Sequence, residues 1–82
     1  MADITVDHLL TAIRDALTIP QPATPEARPA YLELARDRAA AVRYSVDHAI
    51  ATGDIDHATD LIDGAVADLP VAYPTESVEV PR

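Results

Sequence analysis

Each of the three histidines in this 82-residue chain follows an aspartate that itself follows an aliphatic residue. The motifs are Val6-Asp7-His8, Val46-Asp47-His48 and Ile55-Asp56-His57. Imidazole beside carboxylate can hold a divalent cation or move a proton. The densest group is His57 with Asp54, Asp56 and Asp60. It lacks the His-Glu-x-x-His and Glu-x-x-His spacings that place several ligands on one helical face. His57 also falls at the third position of a predicted helix, where a polar side chain serves the free backbone N–H groups. The sequence therefore assigns no metal ligand and no cofactor; a small metalloprotein is the outlying alternative.

Other catalytic chemistries find less support. Ser45 lies one helical turn before His48, but no glycine-rich elbow or oxyanion loop accompanies it. Ser45 reads as a small residue in a helix–helix contact. The only glycines, Gly53 and Gly64, are too far apart for a phosphate-cradling loop. Absence of Cys excludes thiolate nucleophiles, thiolate metal sites and disulfides. Paired carboxylates work as acid and base when a closed pocket separates their pKa values. Asp56, Asp60 and Asp63 instead recur on one helical face predicted to meet water. No catalytic residue is assigned, and a non-enzymatic protein is expected.

Charge is the strongest functional signal. The net charge is −8, and from Tyr44 to Pro81 there is no Lys or Arg. Such a field repels nucleic acid and anionic membranes and attracts basic surfaces. Asp56, Asp60 and Asp63 are thus the candidate binding face for a basic protein partner. A second candidate surface lies on the long central helix at Tyr31, Leu34, Arg38 and Tyr44, because Tyr and Arg are common interface anchors. The favoured reading is an adaptor or accessory subunit of a larger assembly, with a phage structural or accessory protein as one setting. The alternative is an acidic imitation of nucleic acid that blocks a DNA- or RNA-binding protein. No direct nucleic-acid or membrane contact is expected. The absence of a basic-then-apolar leader makes a cytoplasmic location the expectation, or a virion if the chain is phage-encoded.

Three helices must position these residues, so the fold class is all-α. Helix 1 is expected at 6–18, with Thr5 as N-cap, an Ile4–Leu9 staple and an apolar stripe of Val6, Leu9, Leu10, Ile13 and Leu17. A stiff Pro-rich linker covers 19–29. Helix 2 starts at Pro25 or Pro29 and ends at Thr52. Leu32, Ala35, Ala39, Val42, Val46, Ala49 and Ile50 form its expected core stripe. Leu34, Arg38, Ala41 and Ser45 border that stripe, as a contact for helix 1 or for another subunit. Gly53 can take the left-handed conformation that ends a helix, and Asp54 caps the next. Helix 3 spans 55–68, burying Ile55, Ala58, Leu61, Ile62, Ala65, Val66 and Leu69. Residues 71–82 form an extended tail, with Val78-Glu79-Val80 alternating like a short docking strand.

Gly53-Asp54-Ile55, then Ala58, Ile62, Ala65 and Pro70, resembles the turn and second helix of a tetratricopeptide repeat. The resemblance covers residues 39–70. It departs in the first helix, at Val42, Ser45, Val46 and Ala49, and comprises one copy where a solenoid needs at least three. It implies an antiparallel helical hairpin and protein binding. With so few bulky residues (no Phe, no Trp) the core is light. A homo-oligomer or a subunit of a complex is therefore expected.

Overall fold

A computed structural model of the chain describes residues 4–75 and, at Ile4, the backbone alone. Among these residues there are three α-helices: α1 (Ile4–Leu17), α2 (Arg28–Thr52) and α3 (Ile55–Asp68). The expected all-α architecture is observed. No helix is long and apolar enough to cross a membrane among the described residues. The Ile4–Leu9 staple and the Val78–Val80 segment fall outside what is described.

Local chemistry accounts for most boundaries. Thr5 does not cap α1; the helix already includes Ile4, which puts Thr5 inside the first turn. Thr24 caps a single 3₁₀ turn, Pro25–Ala27, its hydroxyl accepting from the Ala27 N–H at 3.3 Å. That turn runs directly into α2 at Arg28. Pro29 sits in the first turn of the helix, where a missing N–H costs nothing. At the other end Gly53 adopts φ 74° and donates its N–H to the Ala49 carbonyl at 2.7 Å. Any residue with a Cβ would be strained there. One residue later, the Asp54 carboxylate accepts from the His57 N–H at 3.0 Å and starts α3. So short a connection forces α2 and α3 to run antiparallel.

α3 packs against both α1 and α2, more extensively than those two pack against each other. Ala58 and Ile62 of α3 are completely buried, surrounded by Leu9, Ala12 and Ala16 from α1 and Val42 and Ala49 from α2. Small residues at these positions let the backbones approach closely.

Two expected core stripes are displaced. On α2 the buried residues are Leu34, Arg38, Val42, Ser45 and Ala49, whereas Leu32 is 51% and Ile50 78% exposed. At 3.6 residues per turn the helix is turned by about 80° from the stripe its apolar residues define. α1 is turned similarly: Leu9, Ala12 and Ala16 face inward while Leu10 and Leu17 stay exposed. The reason lies in Arg38.

Arg38 is only 6% exposed, and no acid pairs with it among the described residues. Its Nε and Nη2 donate to the Leu69 carbonyl at 3.1 and 2.8 Å, and Nη1 donates to the Ala16 carbonyl at 3.4 Å. Leu69 is the C-cap of α3 and Ala16 lies in the last turn of α1. Both carbonyls belong to the unsatisfied C-terminal groups of their helices. Each helix end carries roughly half a negative charge, so the two together offset one guanidinium. Ser45, also buried, is satisfied by donating its hydroxyl to the Ala41 carbonyl at 3.0 Å.

Beyond α3 the chain returns over the Pro-rich linker. The Tyr73 hydroxyl donates to the Pro20 carbonyl at 2.7 Å, and the Ala23 N–H donates to the Pro74 carbonyl at 2.8 Å. Pro22 and Thr75 form an isolated antiparallel bridge. The Tyr73 ring stands edge-on to Tyr31 at a centroid distance of 6.2 Å, the geometry favoured by ring quadrupoles.

Replacing Arg38 by Met should leave the Leu69 and Ala16 carbonyls without a donor and cost about 2–4 kcal/mol. Thermal unfolding followed by circular dichroism should fall by roughly 10–25 °C. Arg38→Lys should recover only part, because a single ammonium on a shorter stem cannot span both carbonyls. An unchanged midpoint in Arg38→Met would contradict this assignment.

A second prediction concerns pH. Desolvation raises the Tyr73 phenol above its ordinary 10.0; the neighbouring Tyr31 phenol adds to this, and Arg38 opposes it. Because folding raises this pKa, the neutral phenol's contribution is fully present below the ordinary value and is lost as pH climbs through the raised one. Phenolate absorbance should show one tyrosine ionising later than the others. Tyr73→Phe should remove that late step and speed exchange of the Ala23 amide.

Candidate functional site

α1 and α3 lie side by side with a groove of about 580 Å³ between them. From α1 come His8, Thr11, Ala12 and Asp15; from α3 come Asp56, Thr59, Asp60 and Asp63. Helical periodicity explains the selection. His8, Thr11 and Asp15 are spaced by three and four residues on the flank of α1 opposite Leu10 and Leu17. Asp56, Asp60 and Asp63 have the same spacing on α3. Over the seven residues from Asp56 to Asp63 the helix rises about 10 Å, so the carboxylates form a short row.

The row is exposed, and no side chain among the described residues neutralises its charge. Among the described residues the ion pairs are Arg14–Asp15 at 3.2 Å and Arg43–Asp47 at 3.8 Å, both at the surface. Asp56, Asp60 and Asp63 take part in neither. Arg38, the basic residue nearest the core, is committed to helix-end carbonyls. The groove therefore presents acidic side chains over a floor made partly of Ala12 and the Thr11 and Thr59 side chains.

Sequence reasoning placed Asp56, Asp60 and Asp63 on one water-facing row, and they line this groove. It missed His8 and Asp15. Their spacing on α1 was available, but that α1 lies alongside α3 is a tertiary fact. No group of three His, Cys, Asp or Glu side chains is placed to hold a metal ion among the described residues. His57 is occupied locally. Its backbone N–H donates to the Asp54 carboxylate, and its ring tilts against His48 at 4.8 Å across the α2–α3 turn.

The second candidate surface does not exist as one face. Leu34 and Arg38 are buried by the chain's own helices, and Tyr31 is half-buried beside Tyr73. Leu34 and Arg38 border the expected stripe and Tyr31 overlaps its edge, so an edge that bordered the core in the sequence is the core itself. Tyr44 alone is well exposed, at 65%. It borders a separate groove of about 320 Å³ between α2 and α3, with Ala41, Ser45, Leu61, Gly64 and Asp68.

Comparison with protein families, with curated proteins and with solved structures finds no match to this chain.

Proposed function

We propose that the protein is a non-enzymatic interaction module whose α1–α3 groove docks a basic segment of a protein partner. One observation carries the reading. Asp56, Asp60 and Asp63 form a row that no cation among the described residues pairs with, joined across the groove by Asp15 and His8. Like charges held this close repel one another, and a basic ligand relieves that repulsion on binding. The groove's open, wet character suits long Lys or Arg side chains, whose apolar stems can lie along Ala12 and the threonine methyls while their heads meet carboxylates. It suits catalysis poorly, because water-exposed carboxylates of one kind have no environment to divide acid from base. The overall charge of −8 supports the same partner chemistry by steering basic surfaces toward the protein.

Titration with fluorescent amphipathic peptides, basic against acidic at equal length, tests this. Basic peptides should bind at low ionic strength and weaken steeply as salt approaches physiological levels. Substituting Asp56, Asp60 and Asp63 together by Asn should reduce affinity at least tenfold. All three side chains are exposed, so the circular dichroism spectrum and melting temperature should barely change. Undiminished binding by the triple variant would move the docking surface elsewhere. Equal binding of acidic and basic peptides would refute the charge reading altogether.

A further inference from the structure

The displaced stripes of α1 and α2 leave a second, chemically different surface. On α2 the uncovered edge contains Leu32, Ala39 and Ile50, continued by the half-buried Val46. On α1 it contains Leu10 and Leu17. The Ala16 carbonyl at the end of α1 meets Arg38 in the first half of α2. Because the C-terminal ends of α1 and α3, at Ala16 and Leu69, both meet Arg38, α1 runs alongside α3 in the same direction and antiparallel to α2. Two antiparallel helices turned in the same sense about their own axes present their displaced edges on one face. That face borders the α1–α2 seam, away from the acidic groove.

The pattern along α2 identifies what fits it. Leu32, Ala39 and Val46 are seven residues apart, and so are Arg36, Arg43 and Ile50. Two interleaved heptad rows make a seam about 27 Å long, five helical turns from Leu32 to Ile50. The seam is self-complementary about its middle. In an antiparallel pairing centred between Ala39 and Arg43, Leu32 of one copy meets Ile50 of the other. Arg36 meets the Val46–Asp47 step, and Ala39 lies under the stem of Arg43. Arg36 has no acid within ion-pair distance among the described residues, whereas Asp47 is exposed and held only at 3.8 Å by Arg43. The pairing thus joins apolar ends, gives Arg36 an acid, and places small Ala39 where the backbones approach most closely. A two-fold axis repeats each contact.

From this register we infer that the protein forms a two-fold symmetric homodimer through the Leu32–Ile50 edge of α2, antiparallel, with Leu10 and Leu17 of α1 at its margin. This arrangement leaves the α1–α3 groove open on both copies. It stands independently of the groove's proposed partner.

Light scattering on the eluting full-length protein tests it. At micromolar concentration the mass should be twice the 8.8 kDa of the chain. Leu32→Glu combined with Ile50→Glu should halve that mass while preserving helix content, because both side chains are exposed within the single chain. Arg36→Asp should weaken the dimer at least tenfold, and Arg36→Asp with Asp47→Arg should restore it. A chain that stays monomeric at every concentration overturns the inference. So does a dimer that survives the double Glu substitution. A charge exchange that fails to restore association overturns the antiparallel register. The Asp56, Asp60 and Asp63 variant should remain a dimer, which separates this result from the fate of the groove.

Discussion

Two helix C-termini meet at one buried guanidinium, and the rest of the molecule is arranged around that meeting. α1 and α3 run the same way, so their negative ends come together at Ala16 and Leu69. Parallel helix dipoles side by side repel, and the terminal carbonyls lack intrahelical donors. Arg38 answers both needs at once, since its planar fork can serve two acceptors in different directions. The cost of burying a cation is met by carbonyls and dipoles, with no carboxylate involved among the described residues. For the fork to reach them, α2 must turn Arg38 inward. That rotation carries Ser45 and Leu34 into the core and swings Leu32 and Ile50 out.

The two surfaces of the molecule descend from this geometry. Because α1 lies parallel to α3, the polar flanks of both helices face each other across one groove, and their aspartates gather there. Because α1 and α2 are turned together, their larger aliphatic side chains collect on another face. A core rich in alanine makes this affordable: Ala12, Ala16, Ala49 and Ala58 permit close packing without demanding Leu10, Leu17, Leu32 or Ile50 inside. The bulk of the apolar side-chain volume is thereby partly left for contacts between molecules, as suits a chain too small to build a deep core. The acidic groove and the aliphatic edge suit different partners.

How much of this was legible in the sequence follows from which forces were local. α3 was readable to the residue, because Gly53, Asp54 and Pro70 punctuate it and its capping chemistry involves near neighbours only. The C-terminus of α2 was readable for the same reason. Its N-terminus lay between two proline signals, and the chain uses both: Pro25 opens the 3₁₀ turn and Pro29 sits in the first turn of α2. The inward face of α2 was not readable. Periodicity puts Arg38 and Ser45 at the border of the apolar stripe, and only partners more than twenty residues away along the chain, Ala16 and Leu69, make Arg38 an interior residue. Likewise Asp56, Asp60 and Asp63 were visible as a row, but the α1 side of their groove depended on how α1 docks.

The most direct measurement is the nuclear magnetic resonance of the six arginine side chains. If Arg38 joins the ends of α1 and α3, its Nε–H should exchange with water far more slowly than the other five, at a rate set by opening of the fold. It should also show cross-relaxation to protons of Leu69 and Ala16. Six Nε–H groups that all exchange at solvent rates would contradict the account at its centre.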